Sequence, residues 1–461
     1  PAELDELAER LMSAPRPLRR RPVVAQMPQQ PGADPKAEVA SSRVRRWTIA
    51  VVGLVAVTAA VWAVGRLVRP VPATPAGSVA VLPFVNLTGD PELEYLVDGV
   101  TDALIAQLSL VQGLRVPAQT SSFHFKGRAM DVRAIADSLG TEQVLEGSMR
   151  RDGANLIVTS QLIDAETGYH LWTGLFDAPP EDFLSLQGQV ADSVVVAVGG
   201  HGSGEDPVGW RLASSTGAWR DYQRARHWWM KRSQMGTDSA IHYFRQAIER
   251  DSLYAVAWAG LADTYITGLY WKHLPNDSAS HQTARDAARQ AAALGPNLPE
   301  VILTQARIDF EERRFDDAEA TVQQALRVNP NAADAHQVLS EVYRKQGLQD
   351  ESLDAARRAY SLDPMSPFRS AFLGNILNSN LMLEDAIIHW SYALELEPEH
   401  TGALGLKSWA LLCLGRLEEA RAVNERLAEL RGRSDHDVQL LYYERDYAGA
   451  LALVDSLRGL E

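Results

Sequence analysis

Apolar residues along the chain change period several times, and each change marks a boundary. In residues 1–14, Leu4, Leu7 and Leu11 recur at helical spacing and predict one amphipathic helix. Residues 15–46 have no apolar period and are rich in Pro, Gln, Ala and Arg, which reads as a disordered linker. Residues 47–65 (WTIAVVGLVAVTAAVWAVG) carry neither charge nor proline. A helix of that length spans about 28 Å, close to the hydrocarbon thickness of a bilayer. A transmembrane helix is therefore expected over 47–66, with Trp47 and Trp62 near its ends.

After a Pro-rich exit, 70–77, short strand patterns alternate with helical ones. Residues 79–85 (VAVLPFV) read as a buried strand interrupted at Pro83. Residues 95–110 place Leu96, Val100, Leu104 and Leu108 on one helical face. A short strand is expected at 114–117 and a helix at 131–139. Strands are expected at 142–150, 155–163 and 169–176, turned at Asp152-Gly153 and near Thr167-Gly168. A closing helix falls at 181–198. Two helices on one side of a five-stranded sheet make a compact α/β unit over 78–198. The Gly-rich stretch 199–217 is the next linker. It lacks the Gly-Lys-Ser/Thr ending and the strand-turn-helix setting of a phosphate loop.

From residue 218 the chain is helical and periodic. Pro296, Pro330, Pro364 and Pro398 recur every 34 residues. Twelve positions before each lies a small residue: Ala284, Ala318, Ser352, Ala386. Five before lies another: Ala291, Ala325, Ala359, Ala393. Trp258, Leu261, Ala262 and Tyr265 fit the first-helix signature of the tetratricopeptide (TPR) repeat. Small residues let paired helices approach, and each proline ends the second helix of a pair. One hairpin cannot cover its own apolar face, so a stack is required. About six to seven repeats are expected over 218–457, with an insertion in the repeat at 255–298. The expected fold class is thus α/β plus all-α: one membrane helix, a small α/β domain and a C-terminal TPR solenoid.

Charge sets the orientation. The net charge of −14 is unevenly spread. Residues 15–46 hold eight Lys/Arg against two acids, and residues 70–461 hold 34 against 53. The acidic folded part repels nucleic acid. The basic stretch beside the apolar run predicts a single-pass inner-membrane protein, N-terminus cytoplasmic and C-terminal domains periplasmic. Ala56 and Ala60 offer small-xxx-small spacing for a homodimer.

Residues 78–198 resemble the TolB-like amino-terminal domain fused to bacterial signalling proteins. The stretches that carry the resemblance are SVAVLPFVNLTGDPELEYLVDGVTDALIAQLS, LRVPAQTSSFHFKG, VLEGSMRRDGANLIVTSQLIDAETGYHLW and DFLSLQGQVADSVV. The resemblance implies a βαβ-rich domain followed by TPR repeats. It also implies a cytoplasmic output module ahead of the membrane helix: a transcription regulator, a protein kinase or a nucleotide cyclase. Residues 1–12 look like the tail of a helical bacterial transcriptional activator domain, so the upstream module is expected to lie largely outside this sequence.

The expected partner is a protein or peptide, bound on the inner face of the solenoid. In the 34-residue frame the inner positions include Arg307 and Phe310, Glu341 and Arg344, Asn375 and Asn378, and Trp409. Arginine and asparagine there would clamp a peptide carboxylate; the alternative is ordinary solvated helix faces. Glu341 opposes the clamp. Tyr270, Trp271 and His273 on the insertion are either exposed anchors or fold back onto Trp228 and Trp229. Lys126 and Arg128 after Thr120–Gly127 would meet an anion, or that stretch is a plain connector.

No enzyme, cofactor or metal is expected. Ser148 follows Gly147 without the nucleophile-elbow pattern, and no His-Glu-x-x-His motif occurs. The one cysteine, Cys413, lies in an apolar helical run and reads as a small core residue. The function expected is a membrane-anchored sensor coupled to a signalling domain; the alternative is a passive envelope scaffold without output.

Overall fold

A computed structural model describes residues 77–199, 213, 215–431 and 435–458. The chain divides into two units, Pro75–Leu453, and Pro1–Thr74 with Val454–Glu461. Of the second unit only residues 454–458, the end of a helix, are described.

The first unit begins with β1 (Gly77–Val81), β2 (Val85–Leu87), α1 (Glu94–Leu108), β3 (Leu114–Arg115), α2 (Gln119–Phe123) and α3 (Val132–Leu139). There follow β4 (Gln143–Asp152), β5 (Asn155–Asp164), β6 (His170–Ala178) and α4 (Phe183–Ala197). The strands lie in the order β3-β1-β4-β5-β6, with β2 also paired to β4. β1 runs parallel to both neighbours, and β4, β5 and β6 form an antiparallel meander. A strand flanked on both sides is apolar on both faces, and Val79, Ala80 and Val81 are all fully buried. Pro83 has no N–H for the ladder. Pairing with β4 therefore stops at Leu145 and resumes at Ser148 through β2. α1 and α4 pack on one face through Leu96, Val100, Leu104, Leu186, Val190 and Val194. α3 covers the other face with Ile135 and Leu139 against Ala80 and Val144.

Seven helical hairpins follow among the described residues. They pair α5 (Thr216–Trp229) with α6 (Gln234–Arg250), α7 (Ala255–Tyr270) with α8 (Ser278–Leu294), and α9 (Pro299–Glu311) with α10 (Phe315–Val328). Next come α11 (Ala333–Gln346) with α12 (Gln349–Leu362) and α13 (Pro367–Ser379) with α14 (Leu383–Leu396). The last are α15 (Thr401–Cys413) with α16 (Leu417–Arg431) and α17 (Asp435–Tyr443) with α18 (Tyr447–Arg458). The alanine ladder is the close contact of each pair: Ala284, Ala291, Ala318, Ala325, Ala359, Ala386 and Ala393 are all buried. Ser352 keeps its place on the ladder by exchanging hydrogen bonds with Ser340, each hydroxyl donating to the other's carbonyl at 2.8 Å.

Two expectations are corrected. Among the described residues no helix is long and apolar enough to cross a membrane. The longest, α6 and α8, have 17 residues and carry charges along one face, whereas a span needs about 20 apolar ones. The fold class of the described residues is an α/β domain with a TPR solenoid, without a membrane helix, and the inner-membrane placement has no described helix to carry it. The stretch 47–66, with Ala56 and Ala60, lies outside the described residues, as do the expected helix 1–14, the linker 15–46 and most of 199–217. Cys413, the last residue of α15, is exposed rather than a core residue.

Candidate functional site

One position of the repeat frame recurs along the inner face of the solenoid as Asp263, Arg307, Glu341, Asn375 and Trp409. Stacking makes these residues neighbours. Arg307 Nη1 reaches Asp263 Oδ2 at 2.5 Å, and its Nη2 lies 3.6 Å from Asp334 Oδ2. Arg369 donates to Asp334 and lies 3.6 Å from Asp363 Oδ2. The predicted clamp arginine is thus consumed by internal ion pairs. Burial disfavours the Asp334 carboxylate, yet Arg369, Arg307 and Arg232 around it hold it well below the ordinary range. Burial raises Asp263 and Asp363 despite their arginine partners.

Beside this network lies an open groove lined by Trp229, Ile266, Tyr270, Trp271, Phe310, Val338 and Phe368. The solenoid curls enough for the insertion after α7 to meet the start of α13. Trp271 packs edge-on against Phe368 at 5.7 Å, and against Tyr270 at 5.1 Å. Tyr270 and Trp271 remain 65% and 37% exposed. Trp271 therefore does not fold back onto Trp228 and Trp229; Trp229 instead donates to Thr267 Oγ1 at 3.1 Å and forms another wall. Phe310 rests on Phe315 at 5.7 Å and faces the same groove. Arg232 stacks on the Phe368 ring at 4.0 Å. At the other end stand Glu311 and Glu341, the latter accepting from Gln337 Nε2 at 3.1 Å.

The remaining candidates fall elsewhere. Arg344 is half-buried on α11, near Glu341 but outside the groove lining. Asn375 Oδ1 accepts from the indole of the fully buried Trp390 at 2.9 Å, a structural role. Asn378 also lies beyond the groove, and Trp409 packs into the core of the later repeats. Lys126 is held by Glu94 and Asp98 at 2.6 and 2.5 Å, and Arg128 by His124 at 2.9 Å. Trp229, Arg232, Asp334, Phe368 and Arg369 were not legible as site residues. They come from different repeats and turns, and only the curvature of the stack brings them together.

The α/β domain sits on this solenoid through two loops between repeats. Asn331 Nδ2 donates to Ser109 O and Leu114 O at 3.1 and 2.7 Å, and its Oδ1 accepts from Val116 N at 3.3 Å. Ser121 Oγ donates to Asp363 Oδ1 at 2.7 Å and accepts from Met365 N at 2.9 Å. Ala118 N donates to Leu362 O at 2.7 Å. Arg226 on α5 donates to Gln119 Oε1 at 2.8 Å and lies 3.5 Å from Asp102 on α1. Asn331 and Met365 occupy the same place in successive repeats, so the domain reads the solenoid's own period.

Residues 303–367 match the tetratricopeptide repeat family. The chain is 44% identical over 131 residues to a Rhizobium meliloti (strain 1021) protein provisionally assigned as adenylate cyclase 3; the match covers 28% of this chain. It is 26% identical over 158 residues, 33% of this chain, to the human protein O-mannosyl-transferase TMTC1. It spans 22% and 18% of the lengths of these two relatives. Among solved structures it is similar to YrrB, a TPR protein with an unusual peptide-binding site, at 17% identity, covering 44% of this chain and 97% of that one, with a TM-score of 0.31. It is similar to PilW, a type IV pilus biogenesis factor, at 18% identity, covering 48% and 97%, with a TM-score of 0.38. The family match and the hairpins together make the helical part of this chain a TPR protein-interaction scaffold.

Proposed function

We propose that the groove between α7, α9, α11 and the start of α13 binds an extended segment of a partner protein, and that the α/β domain carries this event to a signalling output domain. The observation that supports the first part most directly is the aromatic lining. Tyr270, Trp271, Phe310 and Phe368 converge from three repeats, yet Tyr270 and Trp271 stay exposed. Aromatic anchors in a concave site are the usual centres of binding energy. The second part draws support from the hydrogen bonds that join α2 and β3 to the loops at 331 and 363. A segment that alters the curvature of α9–α13 must strain those bonds. The TolB-like resemblance of residues 78–198 and the likeness to a cyclase point the same way: a receptor module serving catalysis located elsewhere.

Selection of a displayed random-peptide library on the full chain tests the reading. Enriched peptides are expected to lose about tenfold or more in affinity on W271A or F310A, while exchange protection at α2 and β3 changes on binding. Peptides that bind both variants as well as the parent overturn the groove. Unchanged protection at α2 and β3 with binding intact leaves a passive scaffold.

A further inference from the structure

The two ends of the groove differ in charge. Arg232 lies in the turn after α5, its backbone left-handed at φ 45°. The guanidinium stacks on Phe368 at 4.0 Å and on Trp229 at 5.5 Å. Among the described residues no carboxylate comes within ion-pair range of it. Arg307 and Arg369 behind it are already matched to Asp263, Asp334 and Asp363. Arg232, which feels Asp334 and Asp363 only through space, is therefore the one of these three arginines without a direct ion pair among the described residues. Burial, and then repulsion from Arg369, push it down to about 10, the penalty a bound anion would relieve.

Glu311 and Glu341 stand at the opposite end, beside Tyr270 and Phe310. Neither forms an ion pair among the described residues, and Glu341 has only the Gln337 amide. Burial raises both, and Glu341 pushes Glu311 up further; His281 and Lys345 offset this in part at Glu311, as Gln337, Arg344 and Arg307 do at Glu341. Two carboxylates beside Tyr270 suit an ammonium or guanidinium.

Asp334 belongs to the Arg232 end and Glu341 to the other, seven residues later on α11. At 1.5 Å per residue the poles are about 10 Å apart. An extended peptide covers that distance in about three residues. We infer that the groove selects a segment bearing an acidic and a basic residue three positions apart, separated by apolar side chains, with the acid on Arg232 and the base between Glu311 and Glu341. This rests on the peptide-groove reading above and gives that peptide its charge pattern.

Fluorescence polarisation with four labelled, end-blocked peptides tests it on the full chain. The parent peptide is Ser-Glu-Leu-Leu-Lys-Ser; the others carry Lys/Lys, Glu/Glu or Gln/Gln at the two charged positions. The parent is expected to bind about tenfold tighter than the Gln/Gln peptide, an advantage that high salt removes. R232E is expected to bring the Lys/Lys peptide to the top, and E341Q to reduce the parent's advantage without favouring Glu/Glu over Gln/Gln. Circular dichroism melts confirm that both variants fold, and R232Q serves if R232E does not. Four peptides that bind alike, all weakened by W271A, overturn the charge pattern and leave the groove standing. If none binds, the pattern falls, and the library selection alone decides the groove.

Discussion

Gly99 on α1 and Trp219 on α5 touch so closely that a methyl group at position 99 would lie 2.0 Å from the indole ring. The same indole packs on Phe183 of α4 at 5.4 Å. A residue of the first hairpin is thus part of the α/β core. G99A must push a 3% exposed tryptophan out of place, with a cost of about 1–3 kcal/mol. Urea unfolding followed by tryptophan fluorescence checks this. Because Trp219 serves both parts, the variant is expected to shift one cooperative transition and not split it. Two separated transitions would show that the domain and the solenoid unfold independently.

Asn331 is the other fastening. It is 5% exposed and makes three bonds to Ser109, Leu114 and Val116. N331A leaves a buried N–H and two carbonyls without partners, at a cost of about 2–4 kcal/mol. N331D keeps the acceptor for Val116 N but places a carboxylate against two carbonyl oxygens, so it should be no better than alanine. Amide exchange at Val116 is expected to speed up in both variants before exchange in the helices does. Unchanged exchange at Val116 would remove Asn331 from the interface.

How much of this was legible differs by scale. The 34-residue period and the alanine ladder are local, and they specify hairpins because close helix contact needs a small residue at a fixed offset. Pro83 and Asp152-Gly153 likewise act within their own strands. Asn331 gave no signal, since it sits in a loop where asparagine is common and its partners lie more than 200 positions earlier in the chain. Arg307 is legible as an inner position, but its frame-mate Asp263 is shifted out of the 34-residue register by the insertion after α7. Trp271 looked like a loop aromatic, and only the curvature that carries Phe368 back to it shows where it points.

Asp334 holds the arginine network together. It accepts from Arg369, lies 3.6 Å from Arg307 and is further stabilised as an anion by Arg232. D334N removes the charge and keeps the size. About a third of its side chain is exposed, so the cost should lie near 2–4 kcal/mol, at or below the usual range for breaking a buried pair. Its depressed pKa means this stabilisation is complete above the ordinary aspartate value and disappears only as pH falls below it. The difference between parent and D334N in chemical denaturation should therefore be flat from pH 5 to 8, within about 0.5 kcal/mol. A difference that grows across this interval would mean that other groups set the network's charge.

His336 gives the solenoid a pH dependence of opposite origin. It lies near the start of α11, and its Nε2 is 3.1 Å from Pro330 O, so the neutral ring donates there. Burial, and then Arg358 and Arg369, push it down to about 4. In the unfolded chain the imidazole takes a proton near pH 6.5. Between those values the unfolded state binds the extra proton and the folded state does not. Stability attributable to His336 is thus intact above about pH 6.5 and falls as pH drops toward 4, by at most about 1.4 kcal/mol per unit. H336Q preserves a donor to Pro330 O and cannot titrate. Urea midpoints at intervals from pH 4.5 to 7.5 should fall more steeply with acid in the parent than in H336Q, with the two curves parallel above pH 7. Parallel curves throughout would show that the ring titrates equally in both states, and that burial beside Arg358 and Arg369 does not hold it neutral.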